Sequence, residues 1–196
     1  MQDLTDNALM LKVKKGDLDK LGLLYERHKK KLFGFFYNLG NNPSVSEDLV
    51  QNVFVRMLQY RTSFSGDGAF GAWMFRMARN VNYDYHKKAA KTEFSNNSST
   101  VEIKDPMDDA INEGIEMEGN NALLRRAMAK LSEEKRQLLV LTKYKGLKFS
   151  ELAEVVGCSE GAAKVRVHRA LNELRSIFLE LNTWNTNFSL ADIKCQ

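Results

Sequence analysis

Scarcity of proline is the strongest constraint on this chain: only Pro43 and Pro106 occur among 196 residues. Proline breaks a helix and marks turns. A chain with so few, whose apolar residues recur every three or four positions, is expected to fold as long helices. Hydrophobic residues make up 43% and charged residues 28%, the balance of a globular protein rather than a disordered or fibrous one. The length allows one large domain or two small ones. No apolar run approaches the ~20 residues that cross a bilayer. The opening MQDLTDN carries Asp3 and Asp6 and no apolar core, unlike a secretory leader. Cys158 and Cys195 make neither a disulfide framework nor a paired metal motif. The expectation is a cytoplasmic, all-α protein without a cofactor.

Charge is distributed in blocks. Residues 1–90 carry net +5, residues 91–120 net −6, and residues 121–178 net +6. Two basic blocks flanking an acidic one suit a polyanion, because each neutralised phosphate releases counterions. A solvated charged surface is the plain alternative. The acidic stretch combines Ser95 to Thr100, Pro106 and five acids between Asp108 and Glu118. It cannot bury a core and reads as a linker.

In the first block, Leu18, Leu21, Leu24, Tyr25, Leu32, Phe35 and Phe36 predict one helix, ended by the Gly40–Pro43 cluster. Ser44 and Glu47 predict a capping box for a second, with Leu49, Val50, Val53, Phe54, Met57 and Leu58 inward. A loop over 61–70 follows. A third helix to about Lys88 has Phe70, Trp73, Met74, Met77, Ala78, Val81 and Tyr85 on its core face. Its other face carries Arg76, Arg79, Asn80, Tyr83 and Lys87. Cations track phosphates, and an aromatic offers a stacking platform for an unpaired base. Phe64 in the loop, beside Ser65, Gly66 and Gly68, is a further candidate for an extruded base. On the second helix the outward residues Asp48, Gln51, Asn52 and Val55 are acidic or uncharged within a basic block, which suits a protein partner or a plain solvated surface.

The sharpest motif lies at 149–174. Ser150 predicts the start of a helix with Leu152, Ala153 and Val156. Gly157 then supplies a left-handed exit, and Ser159 caps the next helix. Small Ala153, Gly157 and inward Ala163 have the spacing of a helix-turn-helix, whose second helix enters the major groove. On that helix Ala163, Val167, Ala170, Leu171 and Leu174 share one side. The opposite side and the N-terminal end offer Ser159, Glu160, Ala162, Lys164, Val165, Arg166 and Arg169 as DNA contacts. Arginine and lysine donate to phosphates or to guanine, and valine touches a thymine methyl.

Three segments, SEDLVQNVFVRML, AWMFRMARNVNYDYHKK and LSEEKRQLLVLTKYKGLKFSELAEVVGCSEGAAKVRVHRAL, occur in that order. In this order they resemble the bacterial RNA polymerase sigma factors of the extracytoplasmic-function (ECF) type, in the sigma-70 family. The resemblance covers about 5–178. It implies two small helical domains: region 2 over 1–92, which binds core polymerase and recognises and melts the minus-10 element, and region 4 over 121–178, which reads the minus-35 duplex. An acidic linker over 93–120 joins them, and a tail occupies 179–196. It implies that Asp48, Gln51, Asn52 and Val55 dock on the β′ clamp helices, that region 4 also meets the β flap, and that the loop over 61–70 captures a base. The implied partners are core RNA polymerase, promoter DNA and an anti-sigma factor, with no small-molecule substrate and no catalysis. On the residues alone, a helix-turn-helix regulator independent of polymerase remains an alternative. A recombinase-like enzyme is disfavoured by scattered acids and by the separation of His28, His86 and His168.

Overall fold

The computed structural model describes residues 4–95 and 115–192, and those residues are helical without a strand. The front lobe begins with α1 (Asp6–Lys14), a helix absent from the periodicity reading. Thr5 caps it, accepting from the Ala8 amide at 3.3 Å, and Leu9, Met10 and Val13 are buried. Helix α2 (Asp19–Asn38) buries Leu24, His28, Leu32, Phe35 and Phe36 at helical spacing. Helix α3 (Pro43–Gln59) starts differently from expectation. Asn42, not Ser44, is its cap: the Asn42 side chain accepts from the Val45 amide at 2.8 Å, with Pro43 at the first helical position. Ser44 and Glu47 are therefore inside the helix.

After a turn of 3-10 helix at Arg61–Ser63, α4 (Phe70–Ser95) completes the front lobe. Its stripe is inward as expected at Phe70, Met74, Ala78 and Val81, and partly so at Trp73 and Met77. Tyr85 departs from the reading: it is 39% exposed, because the stripe has rotated off the core by that turn.

The rear lobe holds α5 (Ile115–Lys130), α6 (Glu133–Leu139), a π-helical turn at Val140–Tyr144, α7 (Phe149–Val156) and α8 (Glu160–Asp192). Helices α4 and α5 thus enter the expected linker from both sides, and residues 96–114 lie outside the described part. The tail continues α8 as one 33-residue helix rather than forming a separate element. Leu181 on it packs against Leu123 and Ala127 of α5. One continuous apolar cluster runs from Leu9 through both lobes to Ala170, so the lobes are packed together.

Candidate nucleic-acid interface

Helix α7 ends where Gly157 adopts φ +74°, a left-handed conformation that costs little only without a Cβ. The Gly157 and Cys158 amides both return to the Ala153 carbonyl, at 2.8 and 3.1 Å. At its other end α7 begins at Phe149 rather than being capped by Ser150. The Glu151 carboxylate accepts from the Lys148 amide at 2.9 Å and satisfies that end instead. Ser159 caps α8 as expected, accepting from the Ala162 amide at 3.2 Å. The two helices therefore form a tight helix-turn-helix. Its crossing point is filled by Ala153 and by Ala163, which is fully buried with Val167 and Ala170.

The outward row of α8 is open. Ser159, Glu160, Lys164, Val165, Arg166 and Arg169 are exposed, and Ala162 is half-buried. Val165 stands 50% exposed between basic neighbours. Lys164 is held by Glu160 at 2.7 Å and lies 5.8 Å over the Phe149 ring. Arg166 reaches Glu134 of α6 at 3.4 Å. These pairs are exposed and so are worth little to stability.

The candidates on α4 divide into two groups. Asn80, Tyr83 and Lys87 are exposed on α4, with the Lys87 ammonium 5.9 Å over the Tyr83 ring. Arg76 and Arg79 instead meet the rear lobe. Arg76 donates to the Glu154 carbonyl at 2.5 Å and Arg79 to the Val155 carbonyl at 2.8 Å. These are last-turn carbonyls of α7, which have no intrahelical partner and sit at the negative end of the helix dipole. Arg79 Nε also donates to the Gln137 amide oxygen at 2.9 Å. Burial pulls the Arg79 guanidinium below its ordinary pKa, and Glu134 and Glu133 oppose that shift. Phe64 corrects the sequence reading. It is 3% exposed, edge-on to Trp73 at 5.1 Å and to Phe70 at 6.3 Å, so its ring serves the core and offers no face to a base. An aromatic of that size gains more from burial than from solvent.

A polar seam, buried at Asn41, Asn82 and Gln137 and open at Glu133, escaped the sequence reading. Asn41 donates to Asn82 at 3.0 Å, Asn82 to Glu133 at 2.9 Å, and Gln137 to the same Glu133 oxygen at 2.9 Å. Arg136 adds a bond across the lobes to the Leu39 carbonyl at 2.9 Å. Asn82 sits four residues beyond Ala78 on the core stripe, and a polar side chain at a core register was the available signal. Elsewhere on the front lobe, Asp48, Gln51, Asn52 and Val55 are all exposed along α3. Among the described residues no His, Cys, Asp or Glu cluster suits a metal ion, and no helix is long and apolar enough to cross a membrane.

The Sigma-70 region 2 family model matches residues 24–92, and the Sigma-70, region 4 model matches residues 121–174. The chain belongs to the sigma-70 family of RNA polymerase sigma factors, in its ECF type. It is similar to the ECF RNA polymerase sigma factor BldN of Streptomyces coelicolor, 28% identical over 87% of this chain, of which it spans 66%. It is also similar to the ECF RNA polymerase sigma-E factor of Escherichia coli, 27% identical over 86% of this chain and 92% of that one. Among solved structures it is similar to CnrH in complex with the cytosolic domain of CnrY, with a TM-score of 0.65 at 25% identity, covering 88% and 96% of the two chains. It shares the fold of the sigma factor RpoE bound to the anti-sigma factor NepR from Bartonella quintana, with a TM-score of 0.64 at 24% identity over 80% and 94%. The two family matches fall on the two lobes: region 2 covers α2 to α4 and region 4 covers the helix-turn-helix. Helix α1 lies outside both.

Proposed function

We propose that this sigma factor acts as a cytoplasmic specificity subunit. It binds core RNA polymerase through Asp48, Gln51, Asn52 and Val55 and directs initiation at promoters. It makes no covalent bond itself. The α8 row, Ser159, Glu160, Ala162, Lys164, Val165, Arg166 and Arg169, reads the minus-35 duplex. Asn80, Tyr83 and Lys87, joined by Arg76 and Arg79, hold the melted minus-10 strand, and capture of unstacked bases offsets an unstacking cost of a few kcal/mol per step. The observation that carries this reading is the exposed basic and apolar row on the second helix of a tight helix-turn-helix, within a chain whose other lobe matches region 2.

Promoter engagement requires the lobes to part. The minus-35 and minus-10 elements are roughly 25 base pairs apart, on the order of 85 Å of duplex. Here α4 touches α7 directly, and Arg76 and Arg79 are engaged by its carbonyls. Nineteen residues separate Ser95 from Ile115 and span at most about 65–70 Å when extended. Together with the lobes themselves, that length is sufficient. The sigma factor RpoE, whose fold this chain shares, is solved bound to an anti-sigma factor, which supports an inhibitor for this chain as well.

The reading is tested by duplex binding. Arg166→Ala and Arg169→Ala, each in holoenzyme, are expected to weaken minus-35 binding by about 1–3 kcal/mol if the arginine reads a base, with relaxed preference at one position. Wild-type affinity in both variants would refute the assignment of this face.

A further inference from the structure

The loop between α3 and α4 is shaped by α1, which lies outside the residues that the region 2 family model matches. Three α1 residues, Asn7, Leu11 and Lys14, recur at i, i+4 and i+7 and so share one helix face. That face meets the loop. The Asn7 amide nitrogen donates to the Gly66 carbonyl at 3.1 Å and to the Gly68 carbonyl at 2.8 Å. Its oxygen accepts from the Phe70 amide at 2.9 Å. Phe70 is the first residue of α4, and the residue before it is Ala69, which has no side-chain acceptor. Asn7 therefore satisfies an unpaired amide at the start of α4. Lys14 donates to the Phe64 carbonyl at 2.7 Å. Leu11 packs where a Cβ on Gly66 would stand, 3.2 Å away, and Gly66 has φ +88°.

Both ends of the loop are sunk in the core through Phe64 and Phe70, 3% and 2% exposed. Its middle hangs from α1. Ser65, Asp67 and Gly68 are left exposed between these anchors. We propose that α1 is a brace for this loop and that Asn7 is a positioning residue: it fixes the Gly66–Gly68 backbone and the start of α4 as one rigid unit that selects the unpaired base. This rests on the promoter-melting reading above, extended to the base capture that the resemblance implies for the loop over 61–70. Asn7 touches no DNA itself. It acts through the loop, whose backbone groups and polar side chains must be held still to discriminate between bases.

The test uses the full chain with core polymerase and a promoter library randomised across the minus-10 element. Asn7→Ala removes all three bonds. Asn7→Asp keeps an acceptor for the Phe70 amide but sets a carboxylate against two carbonyls. Both are expected to lose base preference by about tenfold, the scale of one lost hydrogen bond or slightly more, at one or two adjacent minus-10 positions. Core affinity and minus-35 duplex binding stay within about twofold. Hydrogen exchange in the free chain is expected to speed up at residues 64–70 and not in α2 or α3. Lys14→Met gives a weaker form of the same pattern. An unchanged preference profile would overturn the brace. So would a uniform loss at all promoters with a lower thermal midpoint, or unchanged exchange in the loop. A wild-type holoenzyme without selective initiation would instead bring down the promoter reading, and the brace with it.

Discussion

Truncating Gln137 to alanine isolates one of the contacts that close the two lobes. The Gln137 side chain makes two hydrogen bonds, from Arg79 and to Glu133, each at 2.9 Å. The Glu133 bond lies within α6 and exists whether the lobes are together or apart, so it cancels. The Arg79 bond crosses the lobes and exists only when they are closed. A hydrogen bond to a charged group contributes about 1.5–3 kcal/mol when shielded. Gln137 is 7% exposed but Arg79 is only half-buried, which reduces the loss to roughly 1–2 kcal/mol. That shifts the closed-to-open ratio by about 5- to 30-fold. Single-molecule energy transfer between dyes on the two lobes reads the ratio directly. Small-angle scattering adds a radius of gyration, which for a compact chain of this length is about 16 Å. Wild type is expected near that value, with the variant larger and its open population raised by the stated factor. A ratio unchanged within about twofold would refute the idea that this seam holds the lobes together.

Gly157→Ala forces a Cβ into a left-handed turn and is expected to lower stability by about 1–2 kcal/mol, read by denaturant unfolding; no loss would mean that the turn relaxes. Asp48→Lys places a cation on the acidic and uncharged face of α3. It is expected to weaken core polymerase binding at least about tenfold while leaving duplex binding by α8 intact, as measured by a pull-down beside a gel shift. Asp6 ties α1 to α2. Burial opposes its ionisation, but hydrogen bonds and charge from Arg27 and His28 outweigh that and hold its carboxyl below the ordinary 3.8. Because the folded pKa is depressed, the stabilisation is present above 3.8 and is lost as pH falls through the folded value. Asp6→Asn is expected to cost up to about 1 kcal/mol at neutral pH. The difference from wild type should shrink below pH 3.8, and a constant difference down to pH 3 would contradict the ion-pair role.

Proline scarcity and apolar spacing made the helical class and the helix-turn-helix legible, down to the left-handed Gly157 and the Ser159 cap. Local signals misled where two candidates competed. Asn42 and Ser44 are both capping types, and Pro43 at the first helical position was the sign that decides between them. Helix α1 was missed because nine residues carry too short a stripe to stand out, although Thr5 followed by Asp6 is a start signal. The sequence reading set the tail apart at 179, although the spacing of Leu174, Ile177, Phe178 and Leu181 was an available sign that α8 continues past 178. Phe64 shows the limit. An aromatic between serines reads the same whether it points in or out, and only the Trp73 and Phe70 rings around it settle the matter. The capture of Arg76 and Arg79 by α7 was beyond local pattern altogether, since it depends on how two lobes far apart in sequence pack.

The most direct measurement is run-off transcription with sigma-free core polymerase, the purified chain and fragmented genomic DNA, followed by mapping of start sites. Initiation is expected at a defined set of promoters sharing a minus-35 and a minus-10 sequence, and only when the chain is added. Start sites no different from those of core polymerase alone, with no inhibitor present, would contradict the account.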